Sequence, residues 1–266
     1  MKNRLLGVVA TLAGIAALTT AQAATLSKVD ARAAAAIKQN LETRFPNAKI
    51  LSVTPSALVP GFYEVFTGDT VSLSNATGDL VLVGSIIDTK SKRNLSVERV
   101  DELGSVDFAS LPFDRAIKTV KGNGSRKIAV FSDPECPFCQ QLEKEMASIN
   151  DVTIYTFLYP IASLHPAAPE RAHALWCQAD RSNAWTQWMV FQKVPEQKTC
   201  EGDPVDQLQK LGSSLNIVST PTLFSASGKR FAGTLPAPSL DKFIDGKSSS
   251  ELNAETAKNT QAAVHN

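Results

Sequence analysis

The chain has 266 residues, 43% of them hydrophobic, with 27 Lys+Arg against 26 Asp+Glu. That length can bury one large core or two ordinary ones, and the balanced charge excludes a polybasic nucleic-acid binder and an acidic disordered chain. The four cysteines, Cys136, Cys139, Cys177 and Cys200, all lie in the second half; they are too few for a disulfide-dense mini-protein, and their number alone suits either redox chemistry or one tetrahedral metal.

The amino terminus reads as an export signal over residues 1–23. Lys2 and Arg4 form a positive n-region, Leu5 to Leu18 is apolar and uncharged, and Ala21-Gln22-Ala23 offers the small residues a signal peptidase reads. The apolar run is shorter than the ~20 residues a membrane-spanning helix needs. Cleavage after Ala23 leaves a nearly neutral protein outside the cytoplasm, where disulfide chemistry is the default. Ser27 is placed to cap a helix through Arg44, with Val29, Ala33, Ile37 and Leu41 on one face. Strand-like runs follow at Ile50 to Val53, Phe62 to Phe66, Val71 to Leu73 and Leu80 to Val83, separated by turn residues. A helix beside a small antiparallel sheet is expected over 24–95, with a core thin enough that pairing with another chain would help it. Ser96 is placed to cap a helix through Ala109, in a linker spanning 96–111.

From Ile117 the pattern becomes that of an α/β unit, expected over 112–245. Ile128 to Phe131 reads as a strand, Pro137 to Ile149 as a helix with Phe138, Leu142, Met146 and Ile149 on one face, and Val152 to Leu158 as a buried strand. Helices are expected over Pro169 to Ala179 and Ala184 to Phe191. Another starts at an Asp203 cap with Pro204 in its first position and Val205, Leu208 and Leu211 inside. Leu223-Phe224 and Arg230-Phe231 form a hairpin turning at Ser227-Gly228, and Ser239 to Asp245 closes the domain. Residues 246–266 are polar and expected to be disordered.

Cys136-Pro137-Phe138-Cys139 directly follows a strand and opens a helix, the context that gives a C-x-x-C its redox meaning. Cys136 falls at the N-cap with Pro137 behind it. Unpaired backbone N–H groups and the helix dipole favour a thiolate there and lower its pKa. The strand–helix junction is expected to expose this sulfur. Cys139, one turn further in, is expected to be buried and placed to resolve a mixed disulfide formed at Cys136. Asp133 and Glu135 oppose the thiolate. A zinc site would need two more ligands at compatible spacing, yet Cys177 and Cys200 stand alone and the histidines are only His165, His173 and His265. Gln140 removes haem attachment, and a two-residue spacer makes a weak structural staple. No metal or cofactor is expected. Pro221, in Thr220-Pro221-Thr222, stands at a strand start, where a cis or a trans bond would serve. Cys177 and Cys200 form either a disulfide, which would add roughly 3 kcal/mol in the chain-entropy treatment, or two free buried thiols. His165 and His173 read as surface or packing residues, and Trp176, Trp185 and Trp188 as core.

The run Phe131 to Cys139, then Leu175-Trp176-Cys177, then Thr220-Pro221-Thr222, resembles the bacterial periplasmic thiol:disulfide interchange proteins of the DsbC/DsbG family. The resemblance implies an α+β chain: a C-terminal thioredoxin-like α/β domain with a helical insertion, a small N-terminal cystatin-like α+β dimerisation domain, and a linker helix between them. It implies that Cys136 attacks, that Cys139 resolves, and that Pro221 is a cis-proline beside them with Thr220 preceding it, contacting substrate. It further implies a homodimer acting on misfolded disulfide-containing periplasmic proteins, with the pair kept reduced by a membrane thiol reductase of the DsbD type. The Pro137-Phe138 dipeptide is closer to DsbG. A second cysteine pair, Cys177 and Cys200, is closer to DsbC, which carries a structural disulfide. Disulfide isomerisation is therefore the favoured activity, with a DsbG-like reductase of oxidised single cysteines, having chaperone activity, as the alternative. A purely non-enzymatic holdase and a monomeric disulfide oxidase are weaker readings.

Overall fold

The computed structural model describes residues 30–248 and 251–252. The expected export signal, Ser27, Val29 and the polar tail beyond residue 252 lie outside the described residues. The chain divides into two compact units, one running to Thr67 and resuming at Ser72–Gly84, the other comprising Gly68–Val71 and everything from Ser85.

The first unit packs helix α1 (30–44) against a four-stranded sheet of β1 (Ser52–Pro55), β2 (Tyr63–Phe66), β3 (Val71–Ser74) and β4 (Val81–Leu82), in that order across the sheet. The four-residue spacing of Ile37 and Leu41 on α1 brings both into one small core with Ile50, Val53, Tyr63 and Val65. β1 starts two residues later than its apolar run predicts and includes Pro55. It is an edge strand, and a proline's missing N–H is tolerated there. At the other edge β4 pairs only two residues with β3, and Leu80, Leu82 and Val83 stay exposed.

Between residues 85 and 94 an irregular hairpin closes on an Ile87–Asn94 bridge and leads into α2 (Leu95–Leu103). Asn94, not Ser96, caps this helix, accepting from Val97 N. Ser96 Oγ instead accepts from Ile86 N at 2.9 Å. The linker helix is shorter than predicted. It stops at Gly104, Val106 N then donates to the Gly228 carbonyl, and residues 108–110 form only a 3-10 turn that packs Phe108 into the core of the second unit.

That unit is built on a five-stranded sheet. Its strands are β5 (Ile117–Lys121), β6 (Arg126–Ser132), β7 (Val152–Leu158), β8 (Thr222–Ser225) and β9 (Arg230–Ala232), in the order β5-β7-β6-β8-β9. Only β6 and β7 run parallel. β5 goes beyond the predicted strands, because its Ile-Lys-Thr-Val-Lys sequence buries one residue and half-exposes an edge. The two-residue period of β6 feeds two cores. Ile128 and Val130 meet Leu142 and Met146 of α3 (Pro137–Met146) and Leu240, Phe243 and Ile244 of α7 (Ala237–Ile244). Ala129 and Phe131 face the other side. There, α4 (Ala168–Trp176), α5 (Arg181–Met189) and α6 (Val205–Ser214) bury Leu175, Trp176, Trp185, Trp188 and Leu208. Phe131 stacks on Phe157 with ring centroids 4.8 Å apart.

Two terminal details depart from expectation. Asp203 accepts from Val205 N through Oδ1, but the helix begins after Pro204, which occupies the N-cap instead of the first helical position. Ordered structure also continues past residue 245. Ser248 and Glu251 exchange hydrogen bonds in a capping box, and Leu252 is buried in the second core.

Candidate active site

β6 ends at Ser132, and Asp133-Pro134-Glu135 turns the chain into α3. The turn is held by Asp133, whose Oδ1 accepts from Glu135 N at 2.8 Å while its carbonyl accepts from Cys136 N. Cys136 is the N-cap with extended φ/ψ, and Pro137 opens the helix. Cys136 and Cys139 are free thiols. Cys139 has no exposed surface, and its Sγ accepts from Asp133 N at 3.4 Å.

Two expectations need correction. Cys136 is only 4% exposed. The Thr220–Pro221 segment covers it, and Cys136 Sγ donates to the Thr220 carbonyl at 3.4 Å. The exposed side chain is Phe138, at 65%, in place of the inward position that its spacing with Leu142 suggests. At the first turn of α3 the interior position is taken by Cys139, and Phe138 faces solvent. Its carbonyl is tied by Thr234 Oγ1 at 2.8 Å.

The Thr220–Pro221 bond is cis. Pro221 precedes β8, which is registered against β6 through Thr222 and Phe131, and the Pro221 carbonyl accepts from Gly233 N. The loop is thereby fixed beside the α3 N-terminus by the same sheet that carries the cysteines.

The two thiols are electrostatically unlike. The Cys139 thiol, the backbone N–H of Cys139, the Thr220 side chain and the N–H of Phe138 all stabilise the Cys136 thiolate. Against the opposing effect of burial, they lower its pKa to about 6. Cys139 moves the other way, raised first by burial and then by its hydrogen bond to Cys136 and the charge of that thiolate. One sulfur thus ionises far more readily than its neighbour.

Sequence spacing does not reveal the residues around this pair. Glu135, expected to oppose the thiolate, is neutralised by Arg171 of α4 at 3.1 Å. That guanidinium lies 4.2 Å over the Trp188 ring, and Trp188 Nε1 donates to the Pro134 carbonyl at 2.7 Å. His165 is no idle surface residue: its Nδ1 is 3.0 Å from Oδ2 of the fully buried Asp133, which also accepts from Ile161 N at 2.7 Å. The Asp-Pro turn is a local signal for Asp133; nothing local marks His165 or Arg171. Away from this site, Cys177 and Cys200 are bridged with Cα atoms 5.4 Å apart, and His173 bonds to Asp203.

Residues 113–247 match the family model for a thioredoxin-like domain, and residues 27–97 match the disulfide bond isomerase protein N-terminal domain. The chain is 37% identical over 206 residues, 77% of its length and 72% of the relative's, to a probable thiol:disulfide interchange protein DsbC of Bordetella pertussis. It is 28% identical over 120 residues, 44% of its length and 50% of the relative's, to the Escherichia coli K12 thiol:disulfide interchange protein DsbC. The crystal structure of a disulfide interchange protein from Neisseria gonorrhoeae, 46% identical, matches 51% of this chain and 96% of its own with a TM-score of 0.50. With a reactive thiol pair at a helix start, a thioredoxin-like sheet beneath it and these relatives, the chain belongs to the DsbC family of thiol:disulfide interchange enzymes.

Proposed function

We propose that this protein is a periplasmic, homodimeric disulfide isomerase that reshuffles non-native disulfides, with Cys136 as nucleophile and Cys139 as resolving thiol. The observation that carries the reading is the opposed acidity of the two sulfurs, about 6 at Cys136 and raised at Cys139. The Cys136 thiolate attacks a substrate sulfur and a substrate thiolate leaves, forming a mixed disulfide. Forming that bond removes the Cys136 charge and its hydrogen bond, two of the causes that hold Cys139 protonated. Cys139 then becomes the stronger nucleophile, with the Asp133 N–H available to its developing thiolate. Either a second substrate thiol attacks the mixed disulfide, which completes an isomerisation, or Cys139 does, which releases a reduced substrate and leaves Cys136–Cys139 oxidised. The second exit requires two electrons and two protons from a membrane thiol reductase of the DsbD type.

Thr220 and Pro221 are the proposed substrate-facing backbone, since the Thr220 carbonyl is already within contact of Cys136 Sγ. Phe138 offers an exposed apolar ring between the two cysteines. Dimerisation is supported by the exposed apolar residues Leu80, Leu82 and Val83 at β4, an edge strand of its sheet. A Cys139→Ala variant tests the assignment by trapping mixed disulfides in the cell. The isomerase reading expects captured proteins with several cysteines; capture restricted to proteins with one oxidised cysteine would favour the reductase alternative.

A further inference from the structure

The insertion that holds the second cysteine pair brings three metal-binding side chains together, with a histidine hydrogen-bonded to one of them. Cys177 Sγ, Cys200 Sγ and an Asp203 carboxylate oxygen lie within 4.8 Å of one another. Asp203 Oδ2 is 3.8 Å from Cys177 Sγ and 2.8 Å from His173 Nδ1. The carboxylate is held in place, because Oδ1 accepts from Val205 N at the start of α6 and Oδ2 is left facing the sulfur and the imidazole. His173 and Cys177 are four residues apart at the end of α4, the spacing that lets both side chains reach the Asp203 carboxylate. Cys200 is exposed, so a thiol can reach the disulfide from solvent.

We propose that the Cys177–Cys200 disulfide masks a Zn2+ site, with Cys177, Cys200 and Asp203 as its ligands and His173 orienting the Asp203 carboxylate, which opens when the disulfide is reduced. A dithiol reductant attacks Cys200 Sγ, breaking the S–S bond and releasing the Cys177 sulfur as a thiolate that takes up a proton. The reductant's second thiol then displaces Cys200 and leaves as a disulfide, having supplied two electrons and two protons. Zn2+ displaces the protons of the two thiols into solvent and binds both thiolates and the carboxylate, with water as the fourth ligand. Two thiolates, one carboxylate and a water suit the tetrahedral preference of this d10 ion. The site does not involve Cys136 or Cys139, and it stands whether or not the protein isomerises disulfides. Zinc would replace the covalent staple between α4 and the loop before α6 with a coordinate one, keeping the insertion folded in a reducing setting.

The test uses the full mature chain carrying Cys136→Ser and Cys139→Ser, so that only the second pair can supply thiols. The protein is reduced, freed of reductant without air, and titrated with Zn2+ against a chromophoric chelator. One Zn2+ per chain in the reduced form and none in the oxidised form is expected. Asp203→Asn, which keeps the Oδ1 cap, and His173→Ala should each weaken binding about tenfold or more. Co2+ should give the absorption of a tetrahedral thiolate complex. Helical circular dichroism is followed in parallel; if reduction loosens the insertion, added Zn2+ should restore the signal. No stoichiometric binding on reduction, equal binding in the oxidised form, or unchanged affinity in both Asp203→Asn and His173→Ala would overturn the proposal.

Discussion

Cys136 shows how far a single side chain is governed by its position. A helix N-cap alone predicts a lowered pKa, and the structure adds specific partners that bring it to about 6. Since the thiolate is the reactive form, alkylation of the reduced protein by iodoacetamide should accelerate as pH rises through about 6 and level off above it, with Cys139 unmodified; a midpoint near that of a free thiol contradicts the assignment. Arg171 is predicted to set this value indirectly. Arg171→Met leaves the Glu135 carboxylate without its partner beside the thiolate, so the same alkylation profile should shift to higher pH, whereas a purely packing role would change stability and leave the midpoint in place. The chemistry of the C-x-x-C is legible because spacing and the preceding strand are local. Arg171 and His165 are not, because their partners Glu135 and Asp133 lie more than thirty positions away and meet them only through the fold.

At the scale of elements, the apolar run of β6 and the stripe on α6 are readable from the sequence, and the structure buries Ile128 to Phe131 and Val205 and Leu208 as expected. Pattern fails where context overrides it. β5 escapes prediction because an edge strand of mixed polarity carries little signal. Phe138 is predicted inward because helical spacing cannot say that Cys139, not Phe138, takes the interior position in the first turn of α3. The packing of α6 on β7 depends on an absent side chain. A Cβ at Gly212 would stand 2.3 Å from the Tyr159 ring, and Tyr159 is fixed by its hydroxyl's bond to the Ile217 carbonyl. Gly212→Ala should therefore destabilise the protein by about 1–3 kcal/mol, read as a lower denaturant midpoint with an unchanged slope; an unchanged midpoint would mean that α6 shifts freely on the sheet.

For the whole molecule, the asymmetry in cysteine placement corresponds to a division into a small helix-and-sheet unit without cysteines and a larger unit that holds both pairs. The existence of two units is legible from composition and turns. Their boundary is not sharp in the sequence, because the segment from 85 to 94 is tied to α2 by the Ile87–Asn94 bridge, the Leu95 N–Ile86 carbonyl bond, the Ser96 bond and the Arg93–Glu98 ion pair, none of which leaves a hydrophobic period. The small unit leaves Leu80, Leu82 and Val83 exposed along β4, and the proposed dimer covers that edge. Leu82→Lys with Val83→Lys should shift the mature chain from two copies to one in light scattering. Isomerisation should fall while the Cys136 alkylation profile stays as it was; a variant that remains dimeric would move the interface elsewhere. The central claim is that the reduced Cys136/Cys139 pair reshuffles disulfides in other proteins, and reactivation of scrambled ribonuclease by the reduced protein measures it most directly. Recovery of ribonuclease activity well above a Cys136→Ala control is the predicted result, and recovery no greater than that control would contradict it.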